Sequence, residues 1–346
     1  MNVKRRVLSF VGLILFISII CCYCSKPAST EPGDEDISIE KDIKDVDREM
    51  ENDNIQEEDE IEEIEEIEEI EIGEAEIEAA KIEATSPWTL ISESTVNTKV
   101  EYAGFLNDAI GITVGYAGEI SYTADGGKSW SESSNVSACR YGLDLYNESF
   151  FVSSGNSGVN LLSSDKGESW SELAEFPLKE KGVYNKFISV IDTKNIYIGS
   201  RLSLGVTDDG GETWTELKVP DGCSKIAGMF FMTPEIGYLL NIDGTLYITK
   251  DSCETWNVEA IDLGGEKITD KKMPSVAINF QNNEEGMIVY STESYKVFCI
   301  KTEDGGSTWE NISMPKVSCF APYLSRDGQF LTLSSNIRKV CLYSFK

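Results

Sequence analysis

Three hydrophobic patterns follow one another along the chain. Val7 to Ile20 runs apolar and uncharged after the bases Lys4, Arg5 and Arg6. A basic start followed by an apolar stretch of this length predicts an export signal, because a membrane span needs about 20 apolar residues. Next, isoleucines recur every third position at Ile61, Ile64, Ile67 and Ile70 within a run of glutamates. At about 100° per residue they fan across roughly half a helix circumference, so no coiled-coil seam is expected. From Pro87 onward the apolar positions fall into short runs of Val, Ile, Tyr and Phe, broken by Gly, Asn and Asp. That pattern predicts an all-β domain. The expected organisation is an export signal at 1–24, a spacer at 25–86 and a β-domain at 87–346.

Within the β-domain one turn recurs. The pattern S/T-x-D-x-G-x-S/T-W occurs as Thr123-Asp125-Gly127-Ser129-Trp130, Ser163-Asp165-Gly167-Ser169-Trp170 and Thr207-Asp209-Gly211-Thr213-Trp214. A degenerate copy, Thr249-Asp251-Cys253-Thr255-Trp256, and a last one, Thr302-Asp304-Gly306-Thr308-Trp309, follow. The aspartates are spaced by 40, 44, 42 and 53 residues. A period near forty with four short strands per unit predicts propeller blades. A second signature sets Phe before a turn and Gly six residues later, in FLNDAIGITVG at 105–115, FMTPEIGYLL at 231–240 and FQNNEEGMIV at 280–289.

These motifs resemble the Asp box, or bacterial neuraminidase repeat, of sialidases, xyloglucanases, sortilin-type receptors and the photosystem II assembly/stability factor family. The combination with the Phe–Gly signature is most similar to the last of these, over about 96–313. The resemblance implies that each box is the hairpin joining the third and fourth strands of a blade. There the aspartate accepts backbone N–H bonds, the glycine takes φ > 0 and the tryptophan packs between blades. Cysteine in place of glycine at 253 is expected to strain or reshape its turn. Residues 316–346 form a last unit without a box and without an outer strand. Trp88 to Ser92 resembles the sequence after each box, so it is expected to supply that strand and close a six-bladed ring. A seventh blade remains possible if one is hidden in 256–302.

Charge divides the chain further. Of 60 acidic and 30 basic residues, 26 acids and four bases fall within 31–84. Repelling glutamates at i,i+3 and i,i+4 predict a solvated, partly helical spacer, and the acidic total excludes sequence-independent nucleic-acid binding. Cys22 follows the apolar run and resembles the lipidated cysteine of bacterial lipoproteins, which implies a membrane anchor and an extracytoplasmic domain. An uncleaved signal anchor or secretion is the alternative.

Candidate chemistry is sparse. The chain has no histidine, and the propeller has no Cys-x-x-Cys pair, so neither a zinc site nor a His-dependent nucleophile is expected. One carboxylate per box is too few for an EF-hand type calcium site. No cofactor is expected. Cys139, Cys223, Cys253, Cys299, Cys319 and Cys341 allow disulfides or buried thiols. A sialidase would need three arginines, a tyrosine–glutamate pair and usually Arg-Ile-Pro, which is missing. The repeat does place Arg140, Arg201 and Arg338 on one face, with Tyr141 and with Lys186, Lys225, Lys271 and Lys272 near the same rim. Tyr116, Tyr184 and Tyr295 fall in similar turns. This basic mouth is the candidate ligand site. The expected role is non-catalytic binding or assembly with a protein or glycan at the cell surface; the alternative is a carbohydrate-active enzyme of sialidase or other glycosidase type.

Overall fold

A computed structural model describes residues 86–346 except 116, 132–133, 136–139, 148, 155–158, 177–185, 271–273, 316, 318–320 and 336–337. The expected export signal at 1–24, with Cys22, and nearly all of the expected spacer at 25–86 lie outside the described residues. So do Tyr116, Tyr184, Lys271, Lys272, Cys139 and Cys319.

Phenylalanine and glycine together explain why the inner hairpins form. In three of the blades the innermost strand ends on Phe, and the second strand begins on the Gly opposite it: Phe105 pairs with Gly111, Phe231 with Gly237 and Phe280 with Gly286. The ring lies over the glycine Cα, because a Cβ at Gly237 would meet the Phe231 ring at 2.3 Å and one at Gly286 the Phe280 ring at 2.4 Å. Two of these rings also cross the blade interface. Tyr197 stacks on Phe231 and Tyr238 on Phe280, each with ring centroids 3.6 Å apart. The hairpin signature is thus also a blade-to-blade contact, worth about 0.5–1.5 kcal/mol per aromatic pair beyond buried area.

Six four-stranded antiparallel sheets result. Numbered from blade 1, their innermost strands are Tyr102–Phe105, Arg140–Tyr146, Phe187–Val190, Ile226–Phe231, Val276–Phe280 and Ala321–Leu324. Each lies beside the next, and the strand of blade 6 lies beside that of blade 1, so the ring is closed. The fourth strand of blade 6 comes from the other end of the domain. Trp88–Thr95 pairs antiparallel with Lys339–Phe345, in register from Trp88 opposite Phe345 to Thr95 opposite Lys339, with one irregularity between Leu90 and Ser92. No sheet remains for a seventh blade among the described residues.

All five Asp–Gly turns share one hydrogen-bond pattern. In the first, Thr123 Oγ1 donates to Asp125 at 2.8 Å, and the Ser129 amide and hydroxyl donate to the same carboxylate at 2.9 and 2.5 Å. The Gly127 amide in turn donates to Thr123 Oγ1. These donors pull Asp125 and Asp165 down to about 2. Trp130 reaches the preceding blade, donating to Ser94 Oγ at 3.2 Å, and Trp214 donates to the Ala174 carbonyl at 2.8 Å. The degenerate turn is strained and keeps its shape. Ser252 and Cys253 hold φ of 60° and 70°, and the Cys253 amide still bonds Thr249 Oγ1 at 3.0 Å. The same Thr and Asp donors and acceptors over-determine the loop, so the residue yields to the turn. Cys223, Cys253, Cys299 and Cys341 are unbridged.

Two substitutions test these constraints. Gly237→Ala drives a methyl into a Phe231 ring that Tyr197 holds from the neighbouring blade, and should destabilise the domain by about 1–3 kcal/mol in urea unfolding. Ser252→Gly should stabilise it by about 1 kcal/mol in the same assay, because an exposed left-handed residue is relieved. An unchanged midpoint in either variant would contradict the packing described.

Candidate functional site: the axial cavity and its charged mouth

The Asp–Gly turns identify the two ends of the propeller. Their backbone amides bond the turns between first and second strands: Gly126 to Ala109, Gly210 to Lys194, Ser252 to Glu235 and Gly305 to Glu284. Both kinds of turn therefore share one end. The turns between second and third strands and the links between blades form the opposite end, the mouth.

At the mouth, Arg201 lies in such a turn of blade 3 and its carbonyl accepts the Ile226 amide that opens blade 4. Its guanidinium bonds Asp270 Oδ1 at 2.9 Å, while Lys225 bonds Asp270 Oδ2. All three side chains are partly exposed, between 22% and 37%. Lys186 stands just inside, before the innermost strand of blade 3, and is buried at 5% exposure. Burial, with Arg201 and Lys225 adding to it, pulls its amine down to about 7. Arg140 and Tyr141 begin the innermost strand of blade 2 at the same end, where the register slips between Arg140 and Gly142. Arg338 is at this end too, at φ 69° in a turn of blade 6. In a ring of six, blade 6 lies opposite blade 3, so Arg338 and Arg201 are on opposite sides of the axis. Tyr295, in a turn of blade 5, is exposed.

Below Lys186 runs an axial cavity of about 50 Å3, lined by the innermost strands of all six blades. Its far end is sealed by residues the repeat pattern does not flag. Asp144 is buried and accepts the Val190 amide at 2.7 Å, the Leu145 amide at 2.9 Å and the Tyr323 hydroxyl at 3.2 Å. Arg326 reaches across from blade 6, donating to the Phe231 carbonyl of blade 4 at 2.9 Å and lying over the Phe230 ring. It stands 3.9 Å from Asp144, beyond hydrogen-bond reach, so this pairing is electrostatic. Burial raises the Asp144 carboxyl above the ordinary range, with Arg326 and the amides acting against it. Burial likewise raises Tyr102 and Tyr323. Among the described residues the cavity wall thus carries one carboxyl group, and that one is committed to the structure. Among the described residues no cluster of three Cys, Asp or Glu is arranged to hold a metal.

Six antiparallel blades around a narrow, capped axis with a charged mouth define a β-propeller. Residues 212–325 match the family described as photosynthesis system II assembly factor YCF48, so this third of the chain carries that family's repeat. No curated protein sequence matches the chain. Among solved structures it is similar to YCF48 bound to D1 peptide, at 15% identity, covering 75% of this chain and 96% of that one, TM-score 0.47. It is also similar to virginiamycin B lyase from Staphylococcus aureus, at 16% identity, 72% and 83% coverage, TM-score 0.51. A third is the GH74 xyloglucanase from Xanthomonas campestris, at 14% identity, covering 75% of this chain and 45% of that one, TM-score 0.51. At such identities the likeness is one of fold alone.

The shifted amine gives a pH signature. In the unfolded chain a lysine titrates near 10.4, and in the fold Lys186 titrates at about 7. Below pH 7 both states are charged and the burial cost is complete. Between those values the unfolded state holds the extra proton, so stability rises with pH. Lys186→Met should therefore be more stable than the wild type at pH 6, by a margin that shrinks toward pH 10. Urea unfolding across that range measures it; a constant margin would remove Lys186 as the titrating group.

Proposed function

We propose that this chain is an exported, lipid-anchored propeller that binds or helps assemble a protein or glycan partner at the cell surface, without catalysis. The observation that carries the reading is the match of residues 212–325 to an assembly-factor repeat. Site geometry supports it. Glycoside hydrolysis by the usual route needs two carboxyl groups flanking a sugar, about 5–10 Å apart. Among the described residues the axial cavity presents a single carboxyl group, Asp144, tied to two amides and Tyr323, and at about 50 Å3 it is too small for a sugar ring. Asp270 at the mouth is divided between Arg201 and Lys225. The partner is accordingly assigned to the mouth rim, with Arg140, Tyr141, Arg201 and Arg338 as its candidate contacts. In this reading Cys22 carries the lipid, and residues 25–86 hold the propeller clear of the membrane, on the order of 45 Å if coiled and farther when charge-extended.

Two measurements test it. The full chain should turn over no substrate in a fluorogenic glycoside panel and should retain a partner in envelope cross-linking that Arg201→Glu weakens at least tenfold. Turnover of any glycoside would replace this reading by the enzymatic one. Labelled palmitate should enter the wild-type chain and not Cys22→Ala, which should leave the membrane fraction; equal labelling of both would remove the lipid anchor.

A further inference from the structure

The outer edges of neighbouring blades meet differently around the ring. Between blades 2 and 3 the Ala174 amide donates to the Gly211 carbonyl at 2.9 Å, and Trp214 Nε1 donates to the Ala174 carbonyl at 2.8 Å. Between blades 6 and 1 Trp130 Nε1 reaches Ser94 Oγ. Between blades 4 and 5 the corresponding groups turn back on their own blades. Trp309 Nε1 donates to the Gly306 carbonyl of its own turn at 3.0 Å, and the Ile261 amide donates to the Gly244 carbonyl of its own blade at 3.0 Å. The fourth strand of blade 5, Glu310–Ile312, also stops opposite Cys299, so it leaves Val297 and Phe298 of the third strand without a partner on that side. A groove of about 800 Å3 opens at this junction, against about 50 Å3 along the axis. Leu263 on one wall and Val297, Phe298, Trp309, Ile312 and Met314 on the other are each only partly buried. Among the described residues Asp262 is the one charged group of the lining. Contiguous apolar surface on this scale marks a place where something binds.

The groove lies where the chain enters the domain. The Ser86 hydroxyl donates to the carbonyl of Ser313, a residue of the groove wall, at 2.8 Å. The residues just ahead of Ser86 differ from the acidic run before them. Between 57 and 71 eleven of fifteen residues are Asp or Glu, whereas between 72 and 85 four of fourteen are acidic and seven are Ile or Ala. Ile82 stands four residues from Ser86, within about 13 Å along an extended chain, and Ile77 follows five residues further out. A segment tethered so closely has an effective concentration on the order of millimolar, so weak affinity is enough for it to occupy the groove. Its one base, Lys81, is opposite in sign to Asp262. We propose that residues 72–85 dock in the groove between blades 4 and 5 of the same chain, with Ile77 and Ile82 against its apolar walls. The domain then begins near residue 72, and the freely solvated part of the spacer ends there. This docking is independent of the lipid anchor and of the partner assigned to the mouth rim.

Hydrogen–deuterium exchange of the full chain, read by mass spectrometry, tests the docking against the double variant Ile77→Ser/Ile82→Ser. Both changes lie ahead of the first strand of the ring, so the propeller should fold unchanged. In the wild type, peptides covering 72–85, 297–301 and 309–314 should exchange at least tenfold more slowly than in the double variant, while peptides of blades 2 and 3 exchange alike in both. Leu263→Glu, on the opposite wall, should release 72–85 to the same extent. A diazirine-bearing leucine analogue in place of Ile82 should cross-link to the groove wall within one chain, with a yield that tenfold dilution leaves unchanged. Equal exchange in the wild type and the double variant would overturn the docking. A cross-link that forms only between chains and fades on dilution would overturn it as well, and would assign the groove to a second copy.

Discussion

The ring depends on one strand pairing. Blade 6 receives three strands from the C-terminal repeat, and its outer edge is completed only when Trp88–Thr95 bonds Lys339–Phe345. That pairing joins segments about 250 residues apart, and the entropy of so long a loop grows only logarithmically with its length. The return is concentrated at one interface. Trp88 packs edge-on against Phe345 with centroids 4.8 Å apart and belongs to a cluster with Val289, Leu333, Cys341 and Tyr343, which spans blades 5 and 6. Lys339 and Glu93 add an ion pair on the same two strands at 2.9 Å. Because every innermost strand packs between two neighbours, an unclosed blade 6 would leave blades 1 and 5 each with an exposed flank.

The fold is legible in the sequence because its rules repeat. A Thr or Ser before Asp, Gly two residues after it and Trp at the end encode one turn, and five copies at a period near forty encode a ring. The closing strand is readable for the same reason, since Trp88 has the context of a post-box strand. The Phe–Gly signature is visible as a pattern, but its reason, a ring lying over a missing Cβ and stacked on the next blade's tyrosine, becomes clear only in three dimensions. The axial seal is not readable at all. Arg326 stands in Ser-Arg-Asp-Gly, which has the composition of an ordinary surface turn, yet it crosses the axis to blade 4 and faces Asp144 of blade 2. Contacts between alternate blades leave no periodic trace. For the same reason the sequence puts Arg201 and Arg338 on one face without revealing that they are three blades apart.

The recurring turn fixes one carboxylate per copy at one end of the axis. Five box carboxylates stand at one end, each with its affinity for protons lowered by hydroxyl and amide donors, so these groups stay ionised across the ordinary pH range. The cations Arg201, Lys225 and Lys186 gather at the other end. The placement of the carboxylates follows from the repeat, because the aspartate recurs in one turn while the turns at the opposite end vary in sequence.

The dimensions of the axis then decide where binding can occur. Tyr102, Leu143, Ile188, Phe230, Val276 and Leu324 line the passage with large side chains, and the Asp144–Arg326 seal closes it beyond Lys186. A space of about 50 Å3 admits a few waters or a small ion, and neither a peptide nor a sugar ring can thread it. A macromolecule cannot enter the axis, and at its mouth Arg201 and Asp270 remain partly exposed.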